Sequence, residues 1–90
     1  MAGKAVAEVV VVHPQGMHLR PATEFARLAL STGCDVRVRA GDAEANGGSV
    51  LELAMMAVAQ GTTLVISADG EDPEAAVRAL VDLVRNDFKR

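Results

Sequence analysis

The order of strand-like and helix-like segments limits the fold of this chain more than any other feature of its sequence. Residues 5–12 and 62–68 are rich in β-branched residues, and residues 35–40 alternate apolar with charged side chains, so each segment predicts a strand. A fourth, shorter strand is expected at residues 43–46, after a Gly-Asp turn. A second turn is expected at Asp69-Gly70, where the last strand has ended.

Three further segments have the spacing and the capping residues of helices. One is expected at residues 19–30, one at residues 50–59 after the Ser-x-x-Glu capping box that begins at Ser49, and one after Asp72-Pro73-Glu74. Asp72 is predicted to cap the last helix. The buried faces are expected to be Ala22, Phe25, Ala26 and Ala29 in the first helix, Leu53, Met56 and Ala57 in the second, and Val77, Leu80, Val81 and Val84 in the third.

The resulting order, β-α-β-β-α-β-α, predicts an α+β fold. We expect a two-layer, open-faced sandwich in which a four-stranded antiparallel sheet has all three helices on one face. Ninety residues leave room for one hydrophobic core, so residues 1–90 are assigned to a single domain.

Composition excludes several classes of function. The chain has no Trp or Tyr, two Phe and a formal charge of −3, which argues against binding to nucleic acids. No apolar run reaches the length of a membrane helix, so we expect no membrane insertion. The single cysteine, Cys34, offers neither an internal disulfide nor a metal-ligand spacing, which favours a reducing compartment.

The segment from Gly16 to Ala22, Gly-Met-His-Leu-Arg-Pro-Ala, is the part of the chain that suggests chemistry. Proline is tolerated only in the first turn of a helix, so Pro21 places the helix start just after His18. His18 is then the N-cap, beside the free backbone N–H groups of Leu19 and Arg20, and such a terminus attracts anions. The guanidinium of Arg20 can add a fork of donors to phosphate oxygens.

A histidine in this position can carry a phosphoryl group. A neutral imidazole is a nucleophile, and a phosphoryl group that it accepts would meet the donors at the helix N-terminus. The alternative is a surface histidine that is only solvated or capping, and the sequence leaves it open. His13, five residues earlier, is expected to be a loop residue without a chemical role.

The same segment closely resembles the active-site motif of HPr, the histidine phosphocarrier family of the bacterial phosphoenolpyruvate-dependent sugar phosphotransferase system. A second segment, Asn46-Gly47-Gly48-Ser49-Val50-Leu51, resembles that family's regulatory serine motif, and the resemblance covers essentially the whole chain. It implies that Enzyme I phosphorylates His18, on Nδ1 in this family, and that EIIA domains then accept the phosphoryl group. Arg20 would stabilise the phosphate, and Ser49 would be a site for an HPr kinase/phosphorylase.

The resemblance further implies a cytoplasmic monomer that is a stoichiometric carrier rather than an enzyme, with no cofactor or metal. The alternative function is a regulatory module of the same fold, of the nitrogen-branch type or a partner of transcription factors and kinases, without a role in sugar transport.

The sequence departs from the family pattern in four places. Met17 stands where most members have Leu, and Leu19 stands where most have a small residue; both changes are apolar and leave the chemistry intact. Gly48 replaces a residue that is typically basic, and Glu52 replaces a small one. The last two weaken the regulatory role of Ser49, which its capping box explains without phosphorylation.

The second helix has more apolar residues than one buried stripe requires. Val50, Leu51, Ala54 and Met55 are left over, and flexible methionine suits a surface that fits several partners. A short helix buried on most sides is the alternative. On the family resemblance, the surface that binds Enzyme I and EIIA is expected to comprise Met17, Leu19, Ala22, Val50, Leu51 and Ala54.

Overall fold

The computed structural model describes residues 2–89, and within them the predicted order β-α-β-β-α-β-α is confirmed. The strands are β1 (Ala2–Val10), β2 (Asp35–Ala40), β3 (Ala43–Asn46) and β4 (Thr63–Glu71). The helices are α1 (Leu19–Ser31), α2 (Val50–Met55) and α3 (Pro73–Arg85).

The four strands form one antiparallel sheet in the order β1-β4-β2-β3. Ile66 in the middle of β4 pairs with Ala7 of β1 on one side and with Val38 of β2 on the other, and Val38 pairs in turn with Ala45 of the edge strand β3. Alternate residues along β2 and β4 are buried, while those between them are exposed or half-buried. One face of the sheet is therefore covered by the helices and the other is open, as the α+β prediction required.

The core lies between the sheet and the three helices. Phe25 of α1, Leu53 of α2, Leu80 of α3 and Ile66 of β4 are completely buried. Each such side chain contributes about 1.5–3 kcal/mol to folding through its removal from water. The predicted buried faces of α1 and α3 are confirmed in full: Ala22, Phe25, Ala26, Ala29, Val77, Leu80, Val81 and Val84.

Helix α2 is shorter than predicted, and its predicted buried face is confirmed at Leu53, partly confirmed at Met56, which packs against the core, and wrong at Ala57. It ends at Met55 instead of residue 59; Met56 is half-buried and Ala57 is exposed. Ala57 has a φ of 56°, a left-handed value that no α-helix continues through. Beyond it Val58 turns into the core, which draws the chain away from the helical path.

The turn predicted at Asp69-Gly70 is also wrong, because β4 continues through it to Glu71. Strand β1 begins at Ala2, earlier than predicted, and the added residues pair with the end of β4: Gly3 lies opposite Gly70, and Lys4 opposite Asp69. The chain turns at Asp72 instead, which has a φ of 49°. Asp72 is the N-cap residue of α3, as predicted, but its side chain makes no capping hydrogen bond.

Candidate functional site

The loop of residues 11–18 connects β1 to α1 and is fixed to the segment that follows α2. The N–H of Met17 donates to the carbonyl oxygen of Val58 at 3.0 Å, and the Met17 side chain is buried. Gly16 has a φ of 68°, and a Cβ atom there would overlap the same carbonyl oxygen, so the close approach requires glycine. These contacts set the position of His18.

His18 is the N-cap of α1, as predicted from Pro21. Its backbone is extended, with φ −86° and ψ −168°, and its carbonyl accepts the first helical hydrogen bond from the N–H of Ala22 at 2.9 Å. The His18 ring makes no capping hydrogen bond. Pro21 has no N–H, so the free donors of this first turn are the N–H groups of Leu19 and Arg20.

The two nitrogens of the His18 ring lie in different surroundings. Nε2 is buried and has no hydrogen-bond partner, although the residue as a whole is half-buried. Nδ1 is not among the buried, unpartnered atoms, so it is the ring nitrogen that an incoming group can approach. The sequence could not distinguish the two nitrogens.

The sequence predicts that the Arg20 guanidinium serves the site at His18, but in the structure it contacts His13 instead. Its Nη2 atom is 3.2 Å from Nε2 of His13, while the side chain as a whole is exposed. An exposed arginine can reorient at little cost in packing, so this contact does not fix the guanidinium in one position.

Sequence reasoning missed His13, which the structure brings to the site. Its ring centroid is 5.0 Å from that of His18 and 6.2 Å from that of Phe88, edge-on in both cases. The N–H of Gly16 donates to the His13 carbonyl at 2.9 Å and closes the turn between the two histidines. The signal in the sequence was the turn Pro14-Gln15-Gly16, because a tight turn brings the residues before it close to the residues after it.

Ser49 caps α2, as one of the two alternatives predicted. Its Oγ accepts a hydrogen bond from the N–H of Glu52 at 3.2 Å. The reciprocal half of the predicted capping box is absent: the Glu52 carboxylate accepts from the N–H of Asn46 at 2.9 Å, and the N–H of Ser49 donates to the Asn46 carbonyl. The carboxylate thus closes the loop before α2 rather than capping the helix itself.

Four large apolar side chains are exposed on α1 and α2, which pack against each other: Leu19, Leu30, Leu51 and Met55. Leu19 is 66% exposed, Leu51 is 69% exposed and Met55 is 73% exposed. Val50 and Ala54 are half-buried and pack against the core. Of the predicted partner surface, Leu19 and Leu51 are therefore exposed, and Met55, which was not assigned to it, is exposed as well.

The two other members of that predicted surface are wrongly assigned. Met17 is 2% exposed because it fixes the loop of residues 11–18 to the core, and Ala22 is fully buried because it lies on the inward face of α1 with Phe25. Neither can touch a partner protein in this conformation.

The site offers donors for an anion rather than ligands for a metal. The N–H groups of Leu19 and Arg20, together with the Arg20 guanidinium, are hydrogen-bond donors near His18. In residues 2–89, no three His, Cys, Asp or Glu side chains are grouped to hold a metal ion. Over the same residues, no helix has the length and apolar character needed to cross a membrane.

Comparisons with known proteins point to one family. A family model described as the PTS HPr component phosphorylation site matches residues 5–86. The phosphocarrier protein HPr of Haemophilus influenzae is 39% identical over 77 residues, which are 86% of this chain and 91% of the relative. A crystal structure of an HPr from Thermoanaerobacter tengcongensis superposes with a TM-score of 0.88 at 30% identity, covering 93% of this chain and 94% of that one.

A longer relative contains a similar segment. The phosphoryl donor subunit DhaM of a PEP-dependent dihydroxyacetone kinase, from Providencia stuartii, is 32% identical over 79 residues; these are 88% of this chain and 17% of DhaM.

Proposed function

The chain belongs to the HPr family of phosphocarrier components of the phosphotransferase system, and from this premise we propose that it carries a phosphoryl group on Nδ1 of His18. Enzyme I would load it, with phosphoenolpyruvate as the ultimate donor, and EIIA-type domains would unload it in sugar uptake and its regulation. The proposal depends on the position of the His18 ring at the N-terminus of α1, where Nε2 is buried and Nδ1 is the more accessible nitrogen.

The transfer step exchanges one bond to phosphorus for another. The lone pair of His18 Nδ1 attacks the phosphorus of the donor, and a nitrogen–phosphorus bond forms as the bond to the donor's leaving atom breaks. The leaving atom keeps the electron pair. The same step in reverse direction, with an EIIA acceptor as nucleophile, returns His18 to its starting state, so the protein is a stoichiometric carrier.

The groups around His18 would stabilise the phosphoryl group once it has arrived. The free N–H groups of Leu19 and Arg20 and the helix dipole favour an anion by about 0.3–1 kcal/mol, or up to about 2 kcal/mol when partly buried. The Arg20 guanidinium can leave His13 and bind the phosphoryl oxygens, and a hydrogen bond between charged groups contributes about 1.5–3 kcal/mol.

The surface that docks Enzyme I and EIIA would be the exposed apolar group of Leu19, Leu51 and Met55. It lies on α1, whose N-cap is His18, and on the neighbouring helix α2. Unbranched methionine adapts to differently shaped partners, which suits a carrier that must bind a donor and an acceptor in turn. We expect the protein to do this as a monomer in the cytoplasm.

Ser49 would act as the cap of α2 rather than as a regulatory site. The hydrogen bond between its Oγ and the N–H of Glu52 supports a structural role. The adjacent Glu52 carboxylate would repel a phosphate placed on Ser49. If an HPr kinase does modify this protein, incubation with the kinase and ATP would add an acid-stable phosphate that Ser49→Ala lacks.

The experiment that tests the carrier function uses purified Enzyme I and phosphoenolpyruvate. The wild-type protein should gain one acid-labile phosphate and lose it on addition of an EIIA domain. His18→Ala should gain none, while Ser49→Ala, the matched control, should gain as much as the wild type. Acid-labile phosphate on His18→Ala would contradict the assignment.

A further inference from the structure

His13 makes two contacts that a neutral imidazole cannot both satisfy. Its Nδ1 lies 3.1 Å from the backbone N–H of Gln15, and its Nε2 lies 3.2 Å from Nη2 of Arg20. Both neighbours are hydrogen-bond donors, and guanidinium has no acceptor at all. A neutral imidazole has one acceptor nitrogen, so only one of the two contacts is a hydrogen bond.

The contact with Gln15 is the one that the fold maintains. The Gln15 N–H belongs to a backbone turn that the bond from the Gly16 N–H to the His13 carbonyl closes at 2.9 Å. Arg20 approaches with the end of a long, exposed side chain that can move. Nδ1 of His13 is therefore the acceptor, and the proton lies on Nε2, since the hydrogen bond at one ring nitrogen sets the tautomer.

This tautomer leaves two donors facing each other beside His18. The Nε2–H of His13 and the Nη2 of Arg20 lie 3.2 Å apart, so in this tautomer each of the two groups faces a donor instead of an acceptor. The ring of His13 is held there by edge-on contacts with His18, at a centroid distance of 5.0 Å, and with Phe88. A phosphoryl group on His18 would bring anionic oxygens to these donors.

We propose that His13 is a ligand of the phosphoryl group: its Nε2–H donates to a phosphoryl oxygen on His18, beside the guanidinium of Arg20. The Gln15 N–H fixes the tautomer in which His13 can do this. The proposal rests on the proposed function of His18 and adds to it a third side chain, which stabilises the phosphorylated state.

The first test is spectroscopic and needs no variant. Long-range proton–nitrogen NMR of the ring nitrogens should show the Nε2–H tautomer of His13 in the free protein. Loading with phosphoramidate, a small donor that requires no docking surface, should make the His13 Nε2–H resonance visible and shift it downfield. An Nδ1–H tautomer, or a resonance that loading does not move, would overturn the proposal.

The second test compares two substitutions of His13. His13→Phe keeps a ring between His18 and Phe88 but has no donor, whereas His13→Gln keeps an N–H donor near the position of Nε2. Each variant is mixed with isotope-labelled wild-type protein and a catalytic amount of phosphorylated Enzyme I, and the distribution of the phosphoryl group is measured at equilibrium. Thermal unfolding of the unphosphorylated variants shows whether each is folded.

At equilibrium, the wild-type protein should hold about ten times as much of the phosphoryl group as His13→Phe does, because the variant has lost one charge-assisted hydrogen bond. For His13→Gln, the ratio of phosphorylated wild type to phosphorylated variant should be no more than about threefold. Equal partition between the wild type and a folded His13→Phe would overturn the proposal. A wild-type protein that Enzyme I does not phosphorylate at all would instead refute the proposed function, and the phosphoramidate measurement would still decide the role of His13.

Discussion

Replacing Leu51 with glutamate separates partner binding from stability. Leu51 is 69% exposed, so folding buries about a third of it, and full burial of leucine contributes about 1.5–3 kcal/mol. The substitution therefore costs about 0.5–1 kcal/mol in burial. Residue 51 lies in the first turn of α2, where a negative charge regains about 0.3–1 kcal/mol from the helix dipole. The free energy of unfolding should change by no more than about 0.5 kcal/mol.

The matched control is Leu53→Glu, on the same helix and two residues away. Leu53 is completely buried, and even truncation to alanine at such a site costs about 2–5 kcal/mol, to which the carboxylate adds its own desolvation. Chemical denaturation should show a small shift for Leu51→Glu and a large loss of stability for Leu53→Glu.

The same proteins are then assayed for phosphoryl transfer from Enzyme I. Leu51→Glu should reduce kcat/KM for transfer by about tenfold or more, as expected when a contact residue at an interface is lost. Phosphorylation by phosphoramidate, which needs no docking, should be unchanged. Wild-type transfer by a stable Leu51→Glu would exclude this leucine from the docking surface, and a loss of several kcal/mol would show that the residue is buried.

Three further substitutions test other parts of the molecule. Arg20→Ala should leave the unfolding midpoint unchanged and slow transfer by about tenfold in rapid-quench assays, and an unchanged rate would remove Arg20 from the site. Ala57→Gly should raise the free energy of unfolding by about 0.5–1 kcal/mol. Glycine removes the cost of about 1–2 kcal/mol that alanine has in the left-handed conformation, but the greater entropy of glycine in the unfolded chain offsets part of this gain. A lower urea midpoint would contradict this. Ser49→Ala should cost about 0.5–2 kcal/mol of stability in the same titration, through loss of the cap of α2, and should leave the transfer rate unaltered.

Local patterns in the sequence were enough to predict the order of the elements and most of the core. The alternation of Val36 and Val38 with exposed arginines, and the spacing of Ala22 and Phe25, report directly which side chains face inward. The end of α2 could not be predicted in this way, because Ala57 gives no local stop signal. The helix ends at Met55, and the chain that follows it is fixed by the hydrogen bond from the Met17 N–H to the Val58 carbonyl.

The candidate site was predictable where it depended on the chain's own covalent geometry. Pro21 alone placed the start of α1, and with it the N-cap position of His18. The position of His13 depends on how a loop folds back, and the burial of Met17 depends on a contact with a distant segment. Neither has a periodic signature in the sequence, so one residue was overlooked and the other was wrongly assigned to the surface.

The most direct measurement is the site of phosphorylation on the His18 ring. The ring nitrogens are labelled with nitrogen-15, Enzyme I and phosphoenolpyruvate are added, and phosphorus coupling is read from the nitrogen spectrum. Because Nε2 is buried, the coupling should appear on Nδ1 of His18 and on no other ring nitrogen. Coupling to Nε2 of His18, or to either nitrogen of His13, would contradict the central claim.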